Sequence, residues 1–331
     1  MIGVIIVTFQ SADVIEACLE SLRTSDHSDL RVVICDNGSS DDTWGTVLRW
    51  AAAKDVDLAE TRVGPPGAPA PFRFVHMGGN MGYAGGVNAG LKFLLGDPGV
   101  DLLWILNPDS EALPHTASAF ARCAAETGPF SLMGGRIRYH EPPRHIQSDG
   151  GIVLAWSGIC KNLNAGLLPQ EAKMPVAQTL DFISGASVVA SRHFVETVGP
   201  MTEDYFLYYE EVDWAARRGD LPLVLCPEAE VIHHGGTTIG TGAFNRRPSP
   251  FANYFNYRNR MRFVRRFRPM AIPTTWVLSM ARVAKLLALG ARDEAMAAAR
   301  GLNGLPPPVA VRDRIAPEDR ARAFGPGKVR R

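Results

Sequence analysis

Runs of apolar residues alternate with segments of helical periodicity along the first third of the chain. Four runs have the length and composition of strands, at Ile2–Thr8, Arg31–Cys35, Phe72–His76 and Leu102–Leu106. Between the first two runs, apolar residues recur at helical spacing over Ala12–Ser21. This βαβ beginning predicts an α/β fold in which a mostly parallel central sheet is flanked by helices.

The same patterns extend the prediction through the middle of the chain. Helices are expected over Thr43–Ala53 and Thr116–Thr127, and the prolines and glycines of Val63–Pro71 indicate an extended surface linker. Shorter apolar stretches predict four further strands, at Ser131–Tyr139, Ile152–Trp156, Leu221–Cys226 and Ala229–Ile232. Together these elements continue one α/β domain well past the centre of the chain.

Asp109 follows the most apolar of the predicted strands. Leu102–Leu106 is apolar at every position and ends at Asn107-Pro108, where the proline interrupts strand pairing. Ligands of open α/β sheets bind at the carboxyl ends of strands, so a carboxylate there suits a divalent cation that carries phosphates. Alternatively, Asp109 caps the helix that is expected to begin near Pro114.

Two other candidate segments also follow predicted strands. Asp36–Asp42 offers carboxylate and hydroxyl groups to a ligand at the sheet edge or, alternatively, an N-cap to the next helix. Gly78–Gly90 is the most glycine-dense stretch and leads into a helix, a setting in which backbone amides approach phosphates. Its glycine spacing does not match the dinucleotide-binding fingerprint.

A cluster of acids and aromatic residues within Tyr205–Arg218 is the strongest candidate for acid–base chemistry. Glu210, Glu211 and Asp213 lie among aromatic side chains, and apolar walls raise the pKa of a carboxylate towards that of a working base. The alternative is a solvated helix face stabilised by pairs such as Asp213 with Arg217.

Two further segments have more than one interpretation. His233 ends a predicted strand, where it is either a metal ligand beside Asp109 or a packing residue. The small apolar residues of Ile183–Val189 suit the wall of a pocket, although core packing explains them better. Spacing alone does not choose between the two roles of His233.

Composition excludes several classes of protein. A chain of 331 residues with 46% hydrophobic and 21% charged residues is long enough for one large α/β domain and an appendage. Its five cysteines are scattered singly, which argues against a disulfide framework or a cysteine zinc site and favours a reducing cytosol. The apolar start lacks a basic leader and Met270–Gly290 is interrupted by Arg282 and Lys285, so neither a signal peptide nor a membrane-spanning helix is expected.

The net charge of +1 conceals a strongly basic C-terminal part. From Phe251 onward the chain has 17 Lys and Arg against 5 Asp and Glu, or +12. Arginines are interleaved with aromatic residues over Tyr254–Arg268, and Met270–Leu289 has the pattern of an amphipathic helix. Such a region suits nucleic acid, an anionic membrane surface or packing on its own domain. Because the chain has no recognised nucleic-acid module, we expect the membrane surface and no nucleic acid.

These segments together resemble the inverting glycosyltransferase family 2, which has the GT-A fold, and most closely its rhamnosyltransferase-like branch. The resemblance is carried, in the family's order, by Val4–Phe9 with Asp36–Ser39, Asn80–Gly90, Leu106–Asp109, Ser184–Ala186, Phe206–Asp213 and Ile232–Gly236. It implies a GT-A domain over 1–240, with a donor half over 1–110 and an acceptor half over 111–240. A basic aromatic helical extension over 241–302 and a loose basic tail over 303–331 would follow.

The resemblance also implies roles for individual residues. The nucleotide sugar would be bound by Thr8, Phe9, Asp36, Asn37, Ser39, Asn80, Gly82, Asn88, Asn107 and Asp109. Asp109 and His233 would bind a divalent metal, Mn²⁺ or Mg²⁺, at the diphosphate. Glu211 would be the catalytic base, Glu210 and Asp213 are further catalytic candidates, and the acceptor would be contacted by Ser184, Gly185 and Trp214.

The implied reaction is the transfer of a sugar, in the first place L-rhamnose from dTDP-rhamnose, to a hydroxyl of a cell-surface glycan or lipid-linked saccharide. Alternatives are a UDP-linked galactose, glucose or N-acetylglucosamine donor, and a non-catalytic sugar-nucleotide-binding protein. Asn107 replaces the first acid of the family's Asp-x-Asp motif, and Glu211 stands where many relatives carry Asp, so Glu210 stays a rival base. Because similar family members act on lipid-linked acceptors, the resemblance implies a cytoplasmic protein that binds the inner face of the plasma membrane.

Overall fold

The computed structural model describes residues 1–62, 70–235 and 247–326. Within these ranges the strands are β1 (Ile2–Thr8), β2 (Leu30–Asp36), β3 (Leu58–Arg62), β4 (Phe72–His76), β5 (Leu102–Leu106), β6 (Ser110–Ala112), β7 (Leu132–Tyr139), β8 (Ile146–Ser148), β9 (Gly151–Val153), β10 (Cys160–Asn162), β11 (Ser187–Ser191) and β12 (Val224–His233). The α-helices are α1 (Ile15–Arg23), α2 (Thr43–Ala53), α3 (Gly82–Leu95), α4 (Thr116–Thr127), α5 (Arg192–Val198), α6 (Glu210–Ala216), α7 (Pro250–Phe267), α8 (Ile272–Ala288), α9 (Arg292–Leu302), α10 (Val309–Arg312) and α11 (Arg320–Phe324).

One mixed sheet organises the described part of the chain. Its strand order is β3-β4-β2-β1-β5-β11-β7-β12-β6, with β8 paired to β7. The first five strands in this order are parallel, β11 is antiparallel to both of its neighbours, and β12 runs parallel to β7. The predicted α/β fold with a mostly parallel sheet is therefore confirmed.

Two apolar cores, one on each face of the sheet, explain why its central strands are apolar throughout. On one face α3 packs against β1, where Ile5 and Val7 point into the core. On the other face α1, α2 and α4 cover Val4 and Ile6 of the same strand. Because both faces are covered, ligands can reach the parallel strands only at their ends, which is where the candidate residues lie.

The second half of the sheet differs from the sequence prediction at β12. The two strands predicted at Leu221–Cys226 and Ala229–Ile232 are one strand, which continues past a register irregularity between Leu225 and Glu230. The intervening proline cannot donate a ladder hydrogen bond, so the sequence indicates a break where the strand only bulges. The single strand carries His233 directly to the sheet edge.

Two short elements also differ from their predicted form. The strand predicted at Ile152–Trp156 shortens to β9, because the Leu154 backbone N–H turns back to donate to the carbonyl of Ile159. The sequence pattern does not predict β3, whose mixed and largely exposed residues lie at the edge of the sheet. Residues 63–69, which make up most of the predicted linker, lie outside the described residues.

Two arginines of α7 face inward and do not form the expected cationic surface, whereas Arg265 and Arg266 near its end are exposed. Arg258 and Arg260 are only 4% and 6% exposed. Arg258 donates to the backbone carbonyls of Tyr205 and Ala323, and its guanidinium lies over the ring of Phe255. The aromatic residues of α7 pack into the domain and so bury the helix. Arg258 then donates hydrogen bonds to backbone carbonyls that are buried with it and would otherwise have no donor. Packing on its own domain therefore accounts for the buried arginines, and the membrane surface expected for the basic region stays a prediction.

The chain after Asn303 is folded as far as residue 326, which corrects the prediction of a loose tail. α10, α11 and the turn between them place Val311, Ile315 and Ala323 in an apolar core with α7. The tail is rich in proline and charge, so its composition resembles that of a disordered segment. Its few apolar residues suffice because the aromatic face of α7 is already in place to receive them. Residues 327–331 of the predicted tail lie outside the described residues.

α8 and α9 complete the C-terminal helical layer. α9 approaches α7 so closely that a Cβ on Gly301 would stand 2.2 Å from the carbonyl oxygen of Tyr254. α8 packs against both helices and contributes Val283 to their shared core. No helix among the described residues is long and apolar enough to cross a membrane. Residues 236–246, at the end of the predicted domain and the start of its extension, lie outside the described residues.

Candidate active site

A connected polar cluster lies at the carboxyl ends of β1 and β2. Thr8 Oγ1 donates to Asp36 Oδ1 at 2.8 Å, and the backbone N–H of Ser39 donates to Asp36 Oδ2 at 3.0 Å. Ser39 Oγ donates to the same carboxylate and accepts from the backbone N–H of Gln10. Phe9 is half-buried in the turn after β1. The parallel pairing of Thr8 with Asp36 thus brings four of the residues predicted for the nucleotide site together.

The turn before α3 is tied to this cluster. Asn37 Nδ2 donates to the carbonyl of Gly82 at 3.0 Å, and the Gly82 N–H donates to Asn80 Oδ1 at 2.9 Å. Gly82 has a φ of +76°, and a Cβ there would stand 2.6 Å from the carbonyl oxygen of Phe206. A larger residue would therefore strain the turn and displace the loop that leads to the acidic pair.

The glycines farther along α3 serve helix packing rather than phosphate binding. A Cβ on Gly86 would stand 2.5 Å from Val7 Cγ1, and one on Gly90 would stand 2.5 Å from Ile5 Cγ2. The helix therefore lies unusually close to β1. The N–H of Tyr83, in the first turn, is already bonded to a carbonyl of the loop before α6. These contacts correct the expectation that the helix start is open to a phosphate.

Asn88 is also turned away from the nucleotide cluster. Its Oδ1 accepts from the backbone N–H of Met201 at 2.9 Å, and its Nδ2 donates to the Met201 carbonyl and to Glu203 Oε1. These bonds fasten α3 to the segment that precedes the acidic pair. Its predicted role beside the nucleotide is therefore corrected to that of a structural link, which sequence spacing could not distinguish from a binding role.

Asp109 and His233 meet at the sheet edge, as predicted. His233 Nε2 lies 3.1 Å from Asp109 Oδ1 and 3.3 Å from Asn107 Nδ2. His233 Nδ1 lies 2.7 Å from Gln147 Oε1, an acceptor, so Nδ1 carries a proton, and in the neutral imidazole the lone pair of Nε2 can bind a cation. Gln147 was missed by the sequence analysis, since β8 gives too weak a signal for its side chain to be placed.

The donor set of this pair fits a divalent cation. Two ligands at right angles around an octahedral cation with bonds of about 2.1 Å lie about 3 Å apart, close to the observed separation of Asp109 and His233. A histidine ligand whose other nitrogen donates to an amide or carboxylate oxygen is the usual arrangement at metal sites, and Gln147 supplies that oxygen. Asn107 contributes an amide in place of a second carboxylate.

A second group of possible metal ligands lies near the same strand end. Glu111, His140 and His234 have ligand atoms within 4.8 Å of one another. His234 Nε2 lies 2.9 Å from Glu111 Oε1, and the rings of His140 and His234 stack with centroids 3.8 Å apart. His233 contacts Asp109 and Gln147 instead, so the two neighbouring histidines belong to separate groups.

Tyr83 joins the two halves of the candidate site, although the sequence analysis gave it no role. Its hydroxyl lies 2.7 Å from the carbonyl oxygen of Gly185 and 3.1 Å from Asn107 Oδ1. Burial, and then the charges of Glu210 and Glu211, raise the pKa of Tyr83 well above its usual value. The hydroxyl therefore keeps its proton and acts as a donor. Its position within the glycine-rich motif was the only signal that could have identified it.

Glu210 and Glu211 begin α6 and lie in different environments. Glu210 is 3% exposed, and its Oε2 has no hydrogen-bond partner among the described residues. Burial, and then the charge of Glu211, raise the pKa of Glu210 to about 8. Glu211 is partly exposed next to Gly185, where a Cβ would stand 3.7 Å from its carboxyl carbon, and burial raises its pKa as well.

The loop before this acidic pair is strained and is held by α7. Phe206, Tyr208 and Tyr209 have φ values of +64°, +69° and +76°, a region that residues other than glycine rarely adopt. Asn259 Nδ2 lies 2.6–3.0 Å from three backbone carbonyls of residues 205–208. Asn259 therefore stabilises the turn that orients the start of α6.

Asp213 and Trp214 do not face the site, which corrects their predicted roles in catalysis and acceptor binding. Asp213 is fully buried and accepts from Arg217, Arg266 and the hydroxyl of Tyr205. Trp214 is fully buried in the core. Residues three and four positions apart share one face of a helix, so Asp213 and Trp214 lie on the same inner face as the buried Glu210.

Ser184 and Gly185 remain at the predicted acceptor side. Gly185 lies between Tyr83, which donates to its carbonyl, and Glu211, whose side chain a Cβ on Gly185 would just contact. The Ser184 hydroxyl accepts from the backbone N–H of Ala186 and shapes the turn before β11. The structure therefore brings this turn, the acidic pair and the metal ligands to one side of the sheet.

Comparison with known proteins identifies the family. The model of Glycosyl transferase family 2 matches residues 3–177, more than half of the chain. The low-salt glycan biosynthesis hexosyltransferase Agl10 of Haloferax volcanii is 24% identical over 264 residues, 78% of this chain and 74% of that protein. The N-acetylglucosaminyl-diphospho-decaprenol L-rhamnosyltransferase of Mycobacterium tuberculosis is 27% identical over 261 residues, 72% of this chain and 78% of that protein.

A solved structure supports the fold. The mannosyltransferase PcManGT from Pyrobaculum calidifontis, in complex with GDP-Man and Mn²⁺, superposes with a TM-score of 0.52 at 17% identity, over 91% of this chain and 86% of that chain. Likeness at this identity shows the GT-A fold alone. The family match, the curated relatives and the fold agree with one another: the chain belongs to glycosyl transferase family 2 and is a glycosyltransferase.

Proposed function

We propose that the protein transfers L-rhamnose, with inversion, from dTDP-rhamnose to a hydroxyl of a lipid-linked saccharide or cell-surface glycan. The observation that carries the proposal is the position of Tyr83, which bonds both to Asn107 at the metal ligands and to Gly185 at the acidic pair. The expected leaving-group site and the expected base therefore adjoin one another. Similarity to a protein named as a diphospho-decaprenol L-rhamnosyltransferase supports the choice of sugar and acceptor.

Glu211 is the proposed general base. It takes the proton of the acceptor hydroxyl while that oxygen attacks the anomeric carbon from the face opposite the nucleotide. The bond from the anomeric carbon to the diphosphate oxygen breaks, and its electron pair leaves with the nucleoside diphosphate. Asp109 and His233 would hold Mn²⁺ or Mg²⁺, which would neutralise the charge that develops on the diphosphate.

Exposure favours Glu211 over Glu210 as the base. Glu210 is almost completely buried and, with a pKa of about 8, is largely protonated at neutral pH. Glu211 is partly exposed beside Gly185, on the acceptor side of the site. A base must reach the substrate hydroxyl within hydrogen-bonding distance, a condition that Glu211 meets more readily.

A thermal-shift panel tests the donor. The protein is mixed with dTDP-rhamnose, or with UDP-linked galactose, glucose or N-acetylglucosamine, each with and without Mn²⁺ or Mg²⁺. A ligand at 100 times its Kd stabilises the folded state by about 2.7 kcal/mol, so the correct nucleotide raises Tm by several degrees. We expect the largest metal-dependent shift with dTDP-rhamnose. A larger shift with a UDP-sugar would replace the proposed donor, and transfer to a polyprenol-linked saccharide then identifies the acceptor.

We expect Asp109→Asn to remove the metal-dependent part of that shift. The substitution replaces the carboxylate next to His233 by a neutral amide and leaves the site without an anionic ligand from β5 or its following turn. The loss of Mn²⁺ affinity should exceed the 10- to 100-fold typical of an outer-shell partner. His140→Ala, which removes a ligand of the second group, is the control and should keep the shift. The reverse pattern would place the metal at Glu111, His140 and His234.

We expect Tyr83→Phe to lower kcat by about tenfold. The substitution removes one buried donor shared by Gly185 and Asn107, and such a hydrogen bond contributes about 1 kcal/mol or somewhat more. Tyr254→Phe removes a hydroxyl that donates to the carbonyl of Leu305, away from the site, and should leave kcat unchanged. Equal losses in the two variants would show that Tyr83 acts only through stability.

We further propose that the reaction takes place in the cytoplasm. All five cysteines are unpaired, and three of them are buried, as in proteins of reducing compartments. Measuring transfer activity in separated soluble, membrane and extracellular fractions tests this location. Activity confined to the extracellular fraction would contradict it.

A further inference from the structure

α8 carries apolar residues on its outer side as well as on its inner side. Met280 and Val283 pack against α7 and α9, whereas Trp276, Val277 and Leu278 are 43%, 58% and 47% exposed. A helix at the surface of a water-soluble domain normally has polar residues on its outer side. Exposed apolar patches of this kind mark a surface that binds another protein or a membrane.

The exposed apolar residues of this region form a surface that we call the α8 apolar face. Its members are Trp156, Met270, Trp276, Val277 and Leu278. Met270 is 84% exposed in the turn before the helix, and Trp156 is 66% exposed in a neighbouring loop, where its carbonyl accepts from Thr274 Oγ1 at 2.6 Å. Two of the five members are tryptophans, a residue favoured where a protein meets the interface of a bilayer.

The charges beside this face select an anionic partner. Arg282 and Lys285 are exposed on α8, and the helix contains no acidic residue. Arg265 is also exposed near the end of α7. An apolar stripe with cationic residues along its side is the pattern of a helix that lies in the plane of an anionic membrane.

The α8 apolar face is connected to the acceptor side of the candidate active site. The loop that carries Trp156 continues to Gly158, whose carbonyl accepts from the hydroxyl of Tyr209 at 2.7 Å. Tyr209 immediately precedes Glu210 and Glu211. One short loop therefore spans from the apolar face to the start of the helix that bears the acidic pair.

We propose that the α8 apolar face inserts shallowly into the surface of an anionic lipid bilayer, while Arg282 and Lys285 contact headgroup phosphates. This narrows the predicted membrane surface, which covered the arginine-rich segment and Met270–Leu289, to α8, because Arg258 and Arg260 of α7 are buried. The orientation would turn the acceptor side of the site towards the bilayer. The proposal goes beyond glycosyl transfer, since it concerns where the protein docks and not what it transfers.

Vesicle co-sedimentation with the full chain tests the proposal without donor or acceptor, so failure here leaves the proposed transfer reaction untouched. We expect binding to vesicles of phosphatidylglycerol with phosphatidylcholine, weaker binding as salt rises, and little binding to phosphatidylcholine alone. Val277→Asp should abolish binding. Arg282→Gln and Lys285→Gln should each weaken it on the order of fivefold.

Leu48→Asp is the matched control, because Leu48 is 49% exposed on α2 and lies outside the α8 apolar face. It should bind vesicles as the unmodified protein does. Circular dichroism confirms that each variant is folded. Equal vesicle binding by Val277→Asp and Leu48→Asp would overturn the proposal. So would a dimer in solution that Val277→Asp converts to a monomer, because the face would then be a subunit interface.

Discussion

Glu211→Gln is expected to lower kcat by roughly 10²- to 10⁴-fold, the usual contribution of a general base. Glutamine has nearly the same shape and keeps the packing against Gly185, but it cannot take the proton of the acceptor hydroxyl. Donor binding depends on groups at the other strand ends, so the thermal shift with the nucleotide sugar should be unchanged. Steady-state kinetics together with that shift separate a loss of chemistry from a loss of binding.

Glu210→Gln is the control for this prediction, because it makes the same chemical change in the adjacent residue. Glu210 is buried and largely protonated at neutral pH, so its amide analogue should keep most of the activity. A large loss in Glu210→Gln with activity retained in Glu211→Gln would reverse the assignment of the base.

The pH dependence of transfer gives a second readout of the same base. Burial raises the pKa of Glu211 above its ordinary value, and only the ionised carboxylate accepts a proton. Activity should therefore be present above that raised pKa and decline as the pH falls through it. The acid limb of the kcat profile should then lie above the pH at which an exposed glutamate titrates. A profile that is flat down to the ordinary range of glutamate would contradict the role of Glu211.

The donor side of the site was predictable because a parallel sheet gathers the ends of its strands. Each of Thr8, Asp36 and Asp109 follows an apolar run, and apolar runs determine where buried strands stop. The rule that ligands bind at carboxyl ends then brings the three residues to one edge without knowledge of any contact. The pairing of Asp109 with His233 needed the order of strands across the sheet, which the family resemblance supplied.

Contacts between distant segments could not be predicted in the same way. Tyr83, Asp213 and Arg258 have polar groups whose partners lie in other elements, and nothing in local sequence states which element is adjacent. The arginines of α7 resemble a cationic surface because a sequence shows charge but not burial. In the fold, Arg258 and Arg260 hydrogen-bond the loop before Glu210 and Arg266 binds Asp213 of α6, so part of the basic C-terminal region stabilises the acidic segment.

The C-terminal helices are joined to the candidate site by hydrogen bonds and so belong with the GT-A domain. Asn259 and Arg258 hold carbonyls of the strained loop 205–208, and Asp319 in the turn before α11 accepts from the Asn80 N–H beside the nucleotide cluster. The boundary near residue 240 that the resemblance implied therefore separates segments that are joined by hydrogen bonds. α7 supports the acidic side of the candidate site, and Asp319 after it supports the nucleotide side.

Asp213→Ala is expected to destabilise the fold by about 3 kcal/mol. Asp213 is fully buried and forms ion pairs of 2.8 Å with both Arg217 and Arg266. Removing one partner of a buried ion pair typically costs 3–5 kcal/mol, because the remaining charge is left unpaired. Here the cost lies at the lower end of that range, because the side chain of Arg266 is 41% exposed and can turn into solvent. A cost remains because the Tyr205 hydroxyl loses its acceptor.

Urea unfolding followed by circular dichroism measures this loss as a lower midpoint at an unchanged slope. Asp220→Ala, at an exposed position shortly after α6, is the control and should change stability by no more than about 0.5 kcal/mol. Asp213→Asn separates charge from shape, since it keeps the volume and one acceptor oxygen but loses both ion pairs. If Asp213→Ala were as stable as the control while transfer activity disappeared, Asp213 would belong to the catalytic machinery after all. Its burial on the inner side of α6, with four side-chain donors already bound to its two oxygens, is the reason to expect the opposite.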